Sequence, residues 1–164
     1  MKFGLLGRKL GHSYSPRIHS ALGNTNYDLF EKEPSELANY FNDSDLQGTN
    51  ITIPYKIHAM DYCEVIDDRA RRIGCVNTMV RKDGKWHGYN TDYDGFLFTL
   101  EHAGISVKGK QCIILGDGAS SQTVHIALED LEASEIIHLS RHNPPFYNDV
   151  EQYYNTAQVI INCT

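Results

Sequence analysis

The sequence predicts an α/β fold of two domains, because strand-like apolar runs alternate with helical segments along its 164 residues. The run Gln111–Leu115 is nearly continuous in apolar residues, which is typical of a parallel strand buried on both faces. The dipeptide Asp83-Gly84 is a strong turn signal between two other strand-like runs and predicts a hairpin. We therefore expect an α/β domain with a mostly parallel sheet over residues 1–103, followed by a smaller domain over residues 104–164.

The first domain is expected to alternate strands with short helices. The predicted strands are residues 2–7, 27–30, 47–53, 76–81 and 85–89, and longer helical segments are predicted at 34–41 and 67–73. Ser15 is expected to cap a further short helix, with Pro16 in its first position. Ile18 and Leu22 would then face the core.

The stretch from Gly88 to Gly104 is expected to join the two domains. Thr91 is interpreted as the N-cap of a helix in which apolar residues recur at helical spacing until Gly104 ends it. Asp92 and Asp94 lie in the first turn, where carboxylates suit the positive end of the helix dipole. We interpret Asp92 as an active-site residue and Asp94 as an ordinary first-turn carboxylate.

The second domain is predicted to follow a βαβαβ order, which is one mononucleotide-binding half of a doubly wound, Rossmann-type sheet. The predicted strands are residues 111–115, 135–140 and 157–163, with a helix ending near residue 131 and a weaker helix at 148–154. Because the chain stops directly after a strand, we expect an exposed sheet edge and interpret the chain as truncated at its C-terminus.

Composition excludes several classes of function. Acidic residues outnumber basic ones by 21 to 15, and the lack of a basic run argues against a nucleic-acid partner. No apolar stretch approaches the length of a membrane span, so no membrane association is expected. The four cysteines are widely spaced, which favours free thiols in a reducing cytoplasm, and the eight scattered histidines predict no metal site.

Three polar stretches of the first domain are candidates for binding a small ligand. The hydroxyls of Ser13 and Ser15 lie near a helix start and could cradle a carboxylate, although simple capping explains them as well. Thr52 and Lys56 follow a strand, and a partly desolvated lysine could exchange a proton with a substrate hydroxyl; an ordinary surface lysine is the commoner case. The Asn77 amide could bridge two neighbouring alcohols or be a turn residue.

The second domain contains a candidate dinucleotide site. The turn Gly116-Asp117-Gly118-Ala119-Ser120 lies between a predicted strand and helix, where its backbone could approach a pyrophosphate. Ser140 and Arg141 lie at the end of the next strand, at the position where an acidic residue would hold a ribose diol. An arginine there suits a 2′-phosphate and hence NADP over NAD, although any exposed arginine would look similar.

Four of these motifs occur in an order that resembles the shikimate dehydrogenase family. They are Gly11-His12-Ser13-Tyr14-Ser15-Pro16, Asn50-Ile51-Thr52-Ile53-Pro54-Tyr55-Lys56, Gly74-Cys75-Val76-Asn77-Thr78 and Gly88-Tyr89-Asn90-Thr91-Asp92. The terminal Asn162-Cys163-Thr164 is similar to the start of that family's Asn-Ala-Thr-Pro loop. The resemblance covers the whole chain and is most specific over the first hundred residues.

The resemblance implies a cytoplasmic enzyme, monomeric or homodimeric, that uses NADP(H) to interconvert 3-dehydroshikimate and shikimate in aromatic amino acid biosynthesis. Ser13 and Ser15 would hold the substrate carboxylate. Thr52, Asn77 and Asp92 would bind ring hydroxyls, and Lys56, paired with Asp92, would be the acid/base group. The implied cofactor-binding residues are Gly116, Asp117, Gly118, Ala119, Ser120, Ser140 and Arg141.

Departures from the family pattern keep two alternatives open. The family's nucleotide turn is usually Gly-Ala-Gly-Gly-Ala, so Asp117 adds an anion and Ala119 a methyl group near the pyrophosphate. The family's second nucleotide-binding half and C-terminal helix have no counterpart in this sequence. One alternative is a quinate/shikimate dehydrogenase using NAD or NADP. The other is a non-catalytic shikimate-binding fragment or pseudo-enzyme.

Overall fold

The computed structural model of the chain describes residues 1–11 and 13–164, so His12 of the first polar motif lies outside the described residues. The chain divides into two compact units, Met1–Asn90 and Thr91–Thr164, which are described separately below. The helix that follows Thr91 belongs to the second of these units. The domain boundary expected after residue 103 stays a prediction.

A six-stranded, mostly parallel sheet forms the centre of the first unit, in the order β2-β1-β3-β5-β6-β4. Its strands are β1 (Lys2–Gly7), β2 (Tyr27–Glu31), β3 (Leu46–Ile51), β4 (Val65–Ile66), β5 (Thr78–Lys82) and β6 (Lys85–Tyr89). Only the β3–β5 and β5–β6 pairs are antiparallel, so β5 runs against the other strands. The sheet confirms the fold class expected for this part of the chain.

Three short α-helices accompany this sheet: α1 (Ser15–Ala21), α2 (Leu37–Phe41) and α3 (Asp68–Ile73). Helix α3 corresponds to the helix predicted at 67–73, and a specific residue marks each of its ends. The Asp67 side chain accepts hydrogen bonds from the backbone N–H of Arg69 at 3.0 Å and Ala70 at 3.3 Å. Gly74 then ends the helix with a φ of 81°, a left-handed conformation that favours glycine.

Helix α1 differs from its prediction in two respects. Ser15 is the first residue of the helix, and its side chain does not cap the helix start. Ile18 and Leu22 are 56% and 79% exposed, so the expectation that they face the core was wrong. The contact with the sheet comes instead from His19, whose ring stacks on Tyr27 with 3.7 Å between ring centroids.

The core of the first unit fixes the two antiparallel strand pairs. Leu6, Ile51 and Met79 from three neighbouring strands are almost completely buried. Trp86 is also buried, and its Nε1–H donates a hydrogen bond of 2.9 Å to the carbonyl of Phe41. Since a buried indole N–H needs a partner, this bond ties β6 to the end of α2.

The second unit contains a three-stranded parallel sheet in the order β8-β7-β9. Its elements are α4 (Asp92–His102), β7 (Gln111–Leu115), α5 (Ala119–Asp130), β8 (Glu135–Leu139), a 3-10 helix (Tyr147–Gln152) and β9 (Val159–Asn162). One face of β7 packs against α4 and α5, and the other packs against the 3-10 helix. The predicted βαβαβ half of a Rossmann-type domain is confirmed, although its second helix is 3-10 rather than α.

The strand order of the second unit has a functional consequence. A half of the 3-2-1-4-5-6 order would have its second strand in the middle, whereas here the first strand, β7, is central. The chain therefore passes to one side of β7 to form β8 and returns to the other side to form β9. In open α/β sheets, ligands bind at such a reversal, outside the carboxyl ends of the two strands that flank it. In this unit those strands are β7 and β9.

Strand β9 lies at the edge of this sheet and pairs with β7 alone among the strands of the described chain. The side chain of Ile160 on β9 is 55% exposed. All four cysteines are free thiols. Within residues 1–11 and 13–164, none of the helices combines the length and apolarity that a bilayer crossing requires.

Candidate functional site

Strand direction collects the candidate residues of the first unit at one edge of its sheet. Strands β1, β3 and β6 run in the same direction, because β5 is antiparallel to both β3 and β6. Their carboxyl ends therefore lie at the same edge of the sheet. Ser13 and Ser15 follow β1, and Thr52 and Lys56 follow β3. Because β5 runs in the opposite direction, Asn77, which directly precedes it, lies at this edge as well. Five of the predicted site residues therefore share one end of the sheet.

A chain of hydrogen bonds links two of these residues. The Tyr27 hydroxyl is hydrogen-bonded with Ser15 and donates to Asn50 Oδ1 at 2.7 Å. Asn50 Nδ2 donates to the Thr78 hydroxyl at 3.1 Å, which in turn donates to Asn77 Oδ1 at 3.0 Å. Each polar group is thus held in place by a hydrogen bond to the next. The chain of bonds orients the amide of Asn77 and the hydroxyl of Ser15.

Tyr27 and Thr78 were not identified from the sequence as parts of this site. Tyr27 is 8% exposed, and burial raises its pKa to about 12, so the phenol remains a proton donor at neutral pH. The available signal was a tyrosine and a threonine, each as the first residue of a strand. Such groups need polar partners when buried, and only the three-dimensional register identifies those partners.

The two serines have different surroundings. Ser13 Oγ accepts a hydrogen bond of 3.2 Å from the backbone N–H of Ser15, and the Ser13 N–H donates to the carbonyl of Leu10 at 3.0 Å. The capping role that the sequence left open therefore applies to Ser13. Both serines are half-buried, and a hydroxyl that accepts a hydrogen bond retains a proton to donate.

Thr52 and Lys56 are held through their main chains. The Thr52 N–H donates to the Leu6 carbonyl at 2.9 Å, and its carbonyl accepts from the Tyr55 N–H at 2.9 Å. Lys56 lies in a turn, and its carbonyl accepts from the Val76 N–H at 2.9 Å. This bond fixes the turn beside the segment that leads to Asn77.

Asn77 is held between two strands. Its N–H donates to the carbonyl of Tyr89 at 3.0 Å, and its carbonyl accepts from the N–H of Ile51 at 2.7 Å. The side chain is 8% exposed. A buried amide with both main-chain groups satisfied is a rigid donor and acceptor, as the bridging of neighbouring alcohols requires.

Asp92 is the second residue of the second unit, which begins at Thr91 directly after the first unit ends at Asn90. Asn90 is 5% exposed and donates a hydrogen bond of 3.2 Å to the carbonyl of Cys75, which fixes the point where the chain leaves the first sheet. Asp92 is half-buried and is the first residue of α4. Thr91 was expected to cap α4, but within the described chain its side chain makes no capping hydrogen bond.

The predicted nucleotide turn of the second unit depends on a close backbone approach. Gly116 has a φ of 124°, and a Cβ atom at this position would lie 2.7 Å from the carbonyl oxygen of Cys163. The Gly116 N–H donates to the Leu139 carbonyl at 2.9 Å, and the Cys163 N–H donates to the Leu115 carbonyl at 2.8 Å. The turn is therefore packed between the ends of β8 and β9, at the reversal of strand order.

The next part of this turn, at the start of α5, has free space beside it. Gly118 precedes the helix, and a Cβ atom added there would meet nothing within 4 Å. The first turn of α5, which lies within the described residues, contains Ala119 and Ser120 and no acidic residue. A twelve-residue helix concentrates partial positive charge at this end, so the turn fits a phosphate group.

The loop after β8 contains the other predicted cofactor residues. Ser140 is 2% exposed, and its Oγ accepts hydrogen bonds from the N–H of His142 at 3.1 Å and of Asn143 at 2.9 Å. Ser140 thus shapes the loop from within, while Arg141 is exposed. His142 Nδ1 lies 2.9 Å from Asp117 Oδ2 in the turn after β7, and this hydrogen bond lowers the pKa of Asp117.

Solved structures of similar proteins cover the entire chain. Shikimate dehydrogenase from Aquifex aeolicus is 32% identical with a TM-score of 0.91, and the match covers 100% of this chain and 68% of that one. Shikimate 5-dehydrogenase from Thermus thermophilus, solved in complex with NADP(H) and shikimate, is 28% identical with a TM-score of 0.85 over 100% and 68% of the two chains.

Sequence comparison gives the same result. The profile of the shikimate dehydrogenase substrate-binding domain matches residues 5–79. Shikimate dehydrogenase (NADP(+)) of Clostridium perfringens is 41% identical over 85% of this chain, which spans about half, 54%, of that relative. The corresponding protein of Clostridium botulinum is 36% identical over 98% of this chain and 70% of its own length. The chain therefore belongs to the shikimate dehydrogenase family.

Proposed function

We propose that this chain functions as an NADP-dependent shikimate dehydrogenase, which interconverts 3-dehydroshikimate and shikimate. The observation that supports this most strongly is the hydrogen-bond chain from Tyr27 through Asn50 and Thr78 to Asn77. It prepares hydroxyl and amide groups for a small, polyhydroxylated acid. A cytoplasmic location and a monomeric or homodimeric state stay predictions.

In this proposal, the two ends of the substrate are held by different kinds of group. Ser13 and Ser15 donate hydrogen bonds to the substrate carboxylate. Thr52, Asn77 and Asp92 bind the ring hydroxyls, since an amide or carboxylate can accept from one alcohol while neighbouring groups hold the next. The fixed side chain of Asn77 supports this role because a rigid site loses little entropy on binding.

Lys56 is the proposed acid/base residue. Oxidation of the substrate alcohol breaks one C–H bond with its electron pair and releases the hydroxyl proton as the C=O bond forms. Lys56 in its neutral form accepts that proton, and its ammonium form returns it during reduction. Asp92 orients the reacting hydroxyl. NADP, when bound, exchanges the hydride with the ring carbon.

The second unit supplies the proposed cofactor site. Gly116, Gly118, Ala119 and Ser120 would hold the pyrophosphate at the start of α5, where the open space above Gly118 supports the fit. Arg141 would contact the 2′-phosphate, with Ser140 shaping its loop and Asp117 at the rim.

A substitution of Lys56 tests the proposal. The wild-type chain should form NADPH from shikimate and NADP, and Lys56→Ala should lower that rate by about 10²- to 10⁴-fold. Shikimate binding, measured by calorimetry without cofactor, should change by less than about tenfold. The control is Lys85→Ala, which removes an exposed lysine of β6 and should leave both properties intact.

The possible outcomes separate the candidate functions. A near-normal rate in Lys56→Ala would remove its acid/base role, and a wild-type chain that fails to bind shikimate would overturn the proposal. Shikimate binding without NADPH formation or NADPH binding would favour a non-catalytic shikimate-binding protein, the alternative that the anionic Asp117 motivates. Rates with quinate and with NAD would distinguish a quinate/shikimate dehydrogenase.

A further inference from the structure

A hydrogen bond between a carboxylate and an imidazole joins the two loops of the proposed cofactor site. Asp117 lies in the turn after β7, and His142 lies in the loop after β8, with 2.9 Å between Oδ2 and Nδ1. The Ser140 hydroxyl of the same loop also faces this carboxylate, while its hydrogen is donated to the Asn143 carbonyl at 3.1 Å. Although Asp117 belongs to the turn after β7, its charge is therefore directed at the end of β8, the second strand of this sheet.

The end of the second strand is the position at which dinucleotide-binding folds distinguish their cofactors. A carboxylate there accepts a hydrogen bond from the ribose 2′-hydroxyl of NAD, whereas an arginine accommodates the 2′-phosphate of NADP. This chain has both kinds of group at that place, because Asp117 reaches it from the neighbouring turn and Arg141 follows β8 directly. The balance between them decides which cofactor the site prefers.

We propose that Asp117 disfavours a 2′-phosphate, and that His142 offsets this effect by pairing with the carboxylate, so that the two residues together set the preference between NADP and NAD. The inference rests on the proposed function, since it concerns the cofactor of that same site. The groups that face the Asp117 carboxylate are the His142 imidazole and the Ser140 hydroxyl. His142 is thus the one group facing the carboxylate, within the described chain, that can become positively charged.

The pair is better explained by ligand selection than by stability. The Asp117 and His142 side chains are 35% and 75% exposed, and exposed ion pairs contribute little to folding. The loop after β8 is already shaped by the buried Ser140 hydroxyl. Substitution of either member should therefore leave the second unit folded.

The test is a direct titration of the full chain with NADP and with NAD by calorimetry. Asp117→Asn keeps the size of the side chain and removes its charge, so NADP affinity should rise by roughly two- to fivefold while NAD affinity stays level or falls. His142→Asn should lower NADP affinity by a similar factor. In the double variant, the effect of His142→Asn should shrink, because the carboxylate that it offsets is gone.

The control is Glu132→Gln, which changes net charge by the same amount and breaks the exposed Lys108–Glu132 pair of this unit. Those residues precede β7 and β8, at the other edge of the sheet, so both affinities should stay at wild-type values. Equal changes for NADP and NAD in Asp117→Asn, or the same change in Glu132→Gln, would overturn the selection role and leave the cofactor site intact. If neither nucleotide binds any version of the chain, both this inference and the proposed cofactor site are wrong.

Discussion

The two sheets of this protein organise their carboxyl edges with opposite kinds of contact. In the first unit, neutral and partly buried hydrogen bonds join Tyr27, Asn50 and Thr78. In the second unit, the charged carboxylate of Asp117 and the imidazole of His142 meet at the surface. Neutral buried contacts hold one geometry over a wide range of salt and pH, whereas exposed charges respond to both. The first edge thus suits a ligand of one fixed shape, whereas a single change of charge can alter the ligand preference of the second edge.

The largest effect expected from this comparison concerns the turn of the second unit. Gly116→Ala places a methyl group 2.7 Å from the Cys163 carbonyl oxygen, at a φ of 124° that non-glycine residues avoid. We expect a loss of about 1–3 kcal/mol from backbone strain alone, together with loss of nucleotide binding. Thermal unfolding and NADP titration measure the two effects.

Gly118→Ala is the matched control for this prediction. A methyl group at this position meets nothing within 4 Å, and Gly118 has an ordinary φ of −87°. Its stability should stay within about 0.5 kcal/mol of wild type. Equal losses in the two variants would show that the contact with Cys163 does not shape the turn.

A smaller effect is expected when the neutral chain of the first unit is cut. Tyr27→Phe removes the hydroxyl that donates to Asn50 and leaves that amide oxygen without this partner. The free energy of unfolding should fall by about 1 kcal/mol, and shikimate affinity should fall by less than about tenfold. Urea unfolding and calorimetry at low and high salt provide the test. A strong salt dependence of the loss would contradict a neutral network.

The smallest effect is a difference in how the two units respond to pH. In the second unit, His138 lies 2.8 Å from His125, and burial followed by the charge of His125 lowers the pKa of His138. His125 also pairs with Glu129, and the Gly116 carbonyl accepts a hydrogen bond from His138. Since the folded state favours neutral His138, its contribution to stability is present above the ordinary histidine pKa and is lost as pH falls.

The first unit should respond at the other end of the pH scale. Burial raises the pKa of Tyr27 to about 12, so its contribution is complete below pH 10 and is lost as pH rises toward 12. The stability of the first unit, measured through the fluorescence of Trp86 in that unit, should therefore fall mainly in alkali. His138→Gln should remove part of the acid-induced loss measured by far-UV circular dichroism. An unchanged acid response in that variant would exclude the histidine pair as its source.

The sequence predicted correctly the elements whose ends are determined by residues close to them along the chain. Asp67 and Gly74 bracket α3 as a cap and a left-handed stop, and the Asp83-Gly84 turn has both residues at positive φ, 51° and 77°. The apolar run of β7 correctly indicated a strand covered on both faces. In each case, the determining contacts lie within a few residues of the signal.

The sequence could not supply features that depend on distant pairing. The two-residue strand β4 exists only because Val65 and Ile66 meet β6, and it has no periodic pattern of its own. The central place of β7 and the hydrogen bond between Tyr27 and Asn50 likewise follow from long-range register. Ile18 misled the helix prediction because apolar spacing alone does not show which face of a seven-residue helix meets the sheet.

The packing of Gly116 against Cys163 also bears on the order in which this protein assembles. The turn after β7 touches a residue near the far end of the chain, so it is a contact of high sequence separation. During synthesis, β7, α5 and β8 leave the ribosome before β9, and Gly116 then has no Cys163 carbonyl beside it. The turn consequently reaches its final shape only when β9 docks, so nucleotide binding by this unit must await that step.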